Sequence, residues 1–297
     1  MSISFRKRLK SALRIKHPIL KGMLAEFLGT FVLVVFGDGS VAQVVLSKGA
    51  AGTFLTINIA WGFAVAMGVW VSGGVSGGHI NPAVTLTLCL MGREKWRRLI
   101  PYWLAQYIGA FVASACVYGV YIDALNEFDG GTRSIRGTNG TAGIWSTFPQ
   151  EFLTAKVGLA DQILATGLLV CMVLAITDKN NMGAPKSLVP LAVGSVVAVI
   201  GMSFGYNCGY AINPARDWGP RMFTALAGWG RGCWMRIIPE MDFCDTEVTI
   251  HTLYTKTPSS LSLWFCQQGV ILKWALKYDW MYRDSKEGRK SGLPLKI

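Results

Sequence analysis

Two short segments carry the side chains best able to handle a solute. They are His79-Ile80-Asn81-Pro82-Ala83-Val84 and Ala211-Ile212-Asn213-Pro214-Ala215-Arg216-Asp217. Asn is a favoured helix N-cap, and Pro is favoured at the first helical position, where its missing N–H is no loss. Each Asn-Pro-Ala triplet therefore opens a short helix. The Asn81 and Asn213 amides can donate to a passing oxygen, while backbone N–H groups at the helix start hold their carbonyl oxygens. Each helix N-terminus carries roughly half a positive charge. Two such ends aimed at one point make a positive barrier that rejects cations and protons. Extended chain over Gly77–Ile80 and Cys208–Ala211 would supply backbone carbonyls as acceptors. A neutral polar solute would meet donors and acceptors in turn with no covalent step. The sequence offers no nucleophile–base pair and no metal-ligand spacing, so neither an enzyme nor a cofactor is expected.

The elements that must hold these segments are membrane spans. The 297 residues are 52% hydrophobic and only 15% charged, against about 25% charged in a soluble domain. Apolar runs recur near the ~20-residue length that crosses a bilayer. The net charge of +12 could point to nucleic acid, but its distribution argues otherwise. Basic residues gather in the N-terminal tail over residues 1–21, at Arg93–Arg98 and in the C-terminal tail. That pattern predicts a cytoplasmic N-terminus and leaves the tail able to touch anionic lipid. The seven cysteines form neither a disulfide framework nor a metal site.

Taken in order, the first span covers Gly22–Leu46 and holds two acids. Glu26 is expected to brace neighbouring backbone, and Asp38, near the outer end, to be hydrated. The second span is Thr53–Val75, and glycine-rich chain from Gly73 approaches Asn81. The short helix Asn81–Met91 re-enters from the cytoplasmic side. The third span is Leu99–Tyr121, and a polar loop, Ile122–Val157, follows with the sequon Asn139-Gly140-Thr141 on the outside. The fourth span is Gly158–Thr177, in which Gln162 echoes Glu26. The fifth is Leu188–Phe204, and the approach Gly205–Tyr210 leads to a short helix from Asn213 to Leu226. The two starts lie about 130 residues apart in halves of similar layout, an inverted repeat over 22–121 and 158–230. His79 is expected to orient the first re-entrant loop, with a pH-sensing role as the alternative. Arg216 at membrane depth demands a wet or hydrogen-bonded setting, since an arginine there costs about 2.5–3.5 kcal/mol.

Residues 20–230 resemble the aquaporin family, and specifically its glycerol-conducting aquaglyceroporin branch. The resemblance rests on Ala25–Thr30, Ser76–Val84, Ala105-Gln106, Asn139–Gly143, Asn213–Arg221 and Thr224–Gly230. Asp217 after Arg216, with Arg221 four residues on, looks like the glycerol branch. The resemblance implies a selectivity filter at Trp61, twenty residues before Asn81, and at Gly201, Tyr210 and Arg216, which lie twelve before, three before and three after Asn213. Water-selective members place a His where Gly201 stands; glycine leaves room for a carbon backbone. Trp61 and Tyr210 would form an apolar corner for CH groups, and Arg216 with nearby carbonyls would take the hydroxyls. The resemblance thus implies an all-α membrane channel with two re-entrant half-helices, passing glycerol, water and other small neutral solutes, urea being a candidate. It also implies a homotetramer, and the expected location is the plasma membrane.

After Gly230 the resemblance stops. The best apolar window of residues 231–297 is Pro258–Leu272, which is short of a secure span. The sixth spanning helix is therefore expected to be replaced, the tail reading as a splice-variant or gene-model end. This opens a rival reading, a non-conducting variant that regulates full-length subunits. A secondary transporter also uses inverted repeats and broken helices, but apart from Glu26 the spans offer few coupling-ion ligands.

Overall fold

The computed structural model describes residues 14–230 and 232–235. The N-terminal basic residues Arg6–Lys10 and the window Pro258–Leu272 lie outside the described residues, as does the question of a replaced sixth helix. The described chain is helical: α1 Pro18–Leu46, α2 Phe54–Ser76, α3 Pro82–Leu90, α4 Leu99–Asp129, α5 Ala155–Ile176, α6 Val189–Cys208, α7 Pro214–Leu226 and the short α8 Gly232–Met235. Among the described residues, five of these helices (α1, α2, α4 with its leading turn, α5 and α6) are long and apolar enough to cross a membrane. The halves follow one order, with two long helices and then a half-helix. At nine residues, α3 is about 14 Å long and cannot span.

Proline and threonine set the starts. Pro18 and Pro190 lie in the first turns of α1 and α6, and Thr53 and Thr154 cap α2 and α5. Small residues set the crossings, as expected where lipid gives no hydrophobic drive between helices. A Cβ on Gly29 would lie 2.9 Å from the Gly68 carbonyl oxygen, and one on Gly68 would lie 2.6 Å from that of Gly29. Gly62 and Gly194 face each other in the same way, joining α2 to α6 across the two halves. Outward faces carry Phe36, Phe63, Trp70, Ile108 and Val199, all exposed, as lipid-facing helices require.

Three boundaries differ from expectation. The third span continues to Asp129, two turns past Tyr121. Leu125 in that extension is fully buried, and left-handed Gly130 ends the helix. Gly73 and Gly74 lie inside α2, and Gly205–Cys208 inside α6, so both approaches to the Asn-Pro-Ala segments are shorter than their glycines imply. Asp38 is fully buried rather than hydrated, because α1 turns that face inward against α4.

Candidate functional site

Both Asn-Pro-Ala segments form as N-capped helix starts. Asn81 Oδ1 accepts from Ala83 N at 2.9 Å, and Asn213 Oδ1 accepts from Ala215 N and Arg216 N at 3.1 and 3.3 Å. The amide nitrogens cross over to the other half. Asn81 Nδ2 donates to the Ile212 carbonyl at 2.9 Å, and Asn213 Nδ2 donates to the Ile80 carbonyl at 2.8 Å. Each amide has two N–H groups. One is engaged in this exchange, and the other remains for the cavity that both asparagines line.

The chain before each asparagine is not extended, contrary to expectation. Gly77 and Gly78 have φ of 99° and 68°, Ile80 has 44°, Gly209 has 77°, Tyr210 has 40° and Ile212 has 33°. A β-branched residue at positive φ is a strained exception. At Ile80 the strain is held from both sides, since its N–H donates to Glu26 Oε2 at 2.6 Å and its carbonyl accepts from Asn213. The left-handed turns aim the carbonyls of Ile80 and Ile212 at the opposite asparagine, which a straight strand would not do.

Glu26 is the post of the first loop. Its carboxylate also accepts from His79 N at 3.0 Å, Ser76 Oγ at 2.5 Å and Gln106 Nε2 at 2.8 Å, and it is fully buried. His79 Nδ1 pairs with Thr85 Oγ1 at 3.2 Å, its ring meets Tyr102 edge-on at 5.4 Å, and Nε2 lies 3.9 Å from Glu94. The second half differs. Gln162 and Asp161 both reach Cys208 Sγ, at 2.9 and 3.0 Å, at the end of α6.

A cavity of about 520 Å³ runs between the helices. Its lining includes Arg93, Glu94 and Lys179, both Asn81 and Asn213, and Trp61, Tyr210 and Arg216. Of the four filter positions, those three line the cavity and Gly201 does not. Gly201 backs onto Tyr210: a Cβ there would sit 2.6 Å from Tyr210 Cζ and collide with Asn58 Oδ1. The room that glycine leaves is filled by the phenol ring and the Asn58 amide.

Arg216 is held on several sides. Its Nη1 donates to the Trp145 carbonyl at 2.8 Å, its guanidinium carbon lies 4.0 Å above the Trp61 ring, and Nη1 is 3.9 Å from Asp38. Its neighbour Asp217 does not face the cavity. Asp217 Oδ1 accepts from Thr147 N and Oγ1 at 2.9 and 2.8 Å, and Oδ2 accepts from Arg221 Nε at 2.6 Å. Arg221 further donates to the carbonyls of Cys233 and Thr147. With Ser146 Oγ donating to the Asp217 carbonyl at 3.2 Å, three consecutive loop residues, Trp145 to Thr147, are tied to the start of α7. Trp145 and Thr147 escape the sequence reading; Asp38 reads there as a hydrated acid, and its place inside a span is the signal for a buried role. Asn139 is exposed in a turn of this loop, while Thr141, two residues on, is buried and accepts from Trp229 Nε1 at 3.1 Å. Among the described residues no cluster of His, Cys, Asp or Glu could hold a metal.

A family model described as major intrinsic protein matches residues 14–238. Aquaporin-10 of Milnesium tardigradum is 56% identical over 218 residues, which cover 73% of this chain and 53% of that protein. The chain therefore spans about half the length of that relative. Aquaporin-9 of Homo sapiens is 52% identical over 224 residues, covering 75% of this chain and 76% of that one. Among solved structures, the aquaglyceroporin from Plasmodium falciparum is similar with a TM-score of 0.72 at 26% identity, over 88% of this chain and 96% of the other.

Proposed function

Because the chain belongs to the major intrinsic protein family, in its aquaglyceroporin branch, we propose that it forms a passive pore for glycerol, water and other small neutral solutes, urea among the candidates. It is an integral, multi-pass membrane protein of a family of channels, not enzymes. The observation that carries the reading is one cavity lined together by the paired Asn81 and Asn213, the Trp61 and Tyr210 rings and the Arg216 guanidinium, which lies over Trp61.

An alcohol with a carbon backbone suits that arrangement. Its CH groups lie against the rings, its hydroxyls accept from Arg216 and the asparagines and donate to loop carbonyls, and little hydration is lost without replacement. Ion exclusion follows from the same geometry. The α3 and α7 N-termini and Arg216 put positive potential on the path, which opposes cations. At the asparagines a water molecule meets donors from both sides, so its oxygen is engaged and it cannot relay a proton.

The same reading has the N-terminus in the cytoplasm, the chain in the plasma membrane as a homotetramer, and Asn139 as a glycosylation site. The test is swelling of liposomes carrying the full chain under glycerol and sucrose gradients. Glycerol entry above empty vesicles, with sucrose excluded and entry altered by Arg216→Ala, supports the pore. Inserted protein without flux favours a non-conducting subunit that regulates full-length channels.

A further inference from the structure

We infer that Asp38 is a positioning residue for the filter, a buried carboxylate that holds the Arg216 guanidinium back against the wall of the passage. The inference rests on the channel reading above and concerns what sets the geometry of the passage beside Trp61 and Arg216.

Asp38 sits in α1 with 0% exposure. Its Oδ2 accepts a long hydrogen bond, 3.3 Å, from Ser114 Oγ on α4. Its Oδ1 has no hydrogen-bond partner, and Arg216 Nη1 lies 3.9 Å from it. An uncompensated carboxylate in such a place is strongly disfavoured, so the group either keeps its proton or is met by a counter-charge. Arg216 supplies it, and the benefit is mutual. Arg216 lines the cavity and Asp38 does not, so the attraction draws the guanidinium away from the lumen. The other anchors do not replace this pull. The Trp145 carbonyl is neutral, and the Trp61 ring holds one face of the guanidinium without fixing its depth. Ser114 joins the two supports, because its hydroxyl reaches Asp38 while its carbonyl accepts from Trp145 Nε1 at 3.2 Å.

Without the carboxylate, a guanidinium left partly unpaired turns toward the water in the lumen. That narrows the passage for a carbon backbone more than for water. The experiment measures water and glycerol permeabilities by stopped flow on liposomes holding the full 297-residue chain, normalised to inserted protein. The variants are Asp38→Asn, Ser114→Ala, Arg216→Ala and the Asp38→Asn/Arg216→Ala double. Asp38→Asn is expected to lower glycerol permeability about tenfold while water changes less than about twofold. Ser114→Ala moves the ratio the same way by less, and decides the matter if Asp38→Asn fails to insert. In the Arg216→Ala background Asp38→Asn leaves the ratio unchanged. Equal losses of both permeabilities, or a ratio change that persists without Arg216, would overturn the inference. A conducting wild type whose ratio ignores both single variants overturns it alone, whereas a wild type without glycerol flux overturns the channel reading and this inference with it.

Discussion

The Asn81 amide donates to the carbonyl of Ile212, which stands just before Asn213, at 2.9 Å. With the reverse bond from Asn213 to Ile80 at 2.8 Å, the two half-helix starts lock each other in place. Neither asparagine can rotate without leaving a buried carbonyl unpaired, so each holds its remaining N–H on the path of a solute.

Asn213→Asp replaces the donor to Ile80 with an acceptor and places a carboxylate facing a carbonyl. Glycerol permeability is expected to fall at least about tenfold, with cation leak appearing, because the loss of a charge-opposing donor reverses the local field. Stopped-flow swelling and a potential-sensitive dye on the same vesicles measure both effects. Unchanged flux and no leak would contradict the role given to the pair.

Glu26→Ala removes the acceptor of two backbone N–H groups, a serine hydroxyl and the Gln106 amide, all buried. The cost is expected to be about 3–5 kcal/mol. It should appear as a lower thermal unfolding midpoint in detergent, with glycerol flux per folded channel reduced. Ser76→Ala, which removes one donor and leaves the others, should cost about 1 kcal/mol.

Arg221→Ala leaves Asp217 buried without its cation and frees the Thr147 carbonyl. Destabilisation of about 3–5 kcal/mol is expected. Removing both charges with Asp217→Asn/Arg221→Met should cost less than Arg221→Ala alone, since no unpaired charge remains. Unfolding midpoints across the double-mutant cycle check the sign, and additive losses would contradict the coupling.

Gly201→Ala places a methyl where the Tyr210 ring now lies, 2.6 Å from Cζ. The ring must move toward the cavity it lines, so glycerol permeability should drop several-fold while water is nearly spared. A glycerol flux equal to wild type would mean that the ring has another way to yield.

The sequence made the helix starts legible because capping is local chemistry: Asn followed by Pro needs no tertiary information. The apolar runs made the five spans legible for the same reason, since length and composition decide whether a helix crosses a bilayer, whereas Gly73 and Gly205, which read as the starts of the two approaches, lie inside α2 and α6. What remained hidden depends on which way a helix faces. Asp38 reads as hydrated from its position near a span end, yet α1 turns it against Ser114 and Arg216. Gly201 reads as open space, yet a ring from another segment occupies it. Gln162 echoes Glu26 in sequence, but Asp161 beside it also lands on Cys208, a pairing that the echo does not announce. The loop residues Trp145 and Thr147 carry no motif, and only the contact with α7 gives them a place at the site.

The most direct test of the account loads the full chain into liposomes with a pH-sensitive dye and follows glycerol and proton entry in the same vesicles. The account predicts glycerol entry far above empty vesicles, with proton entry no faster than the bare bilayer allows. Correctly inserted protein that passes no glycerol, or that carries protons along with it, would contradict the account.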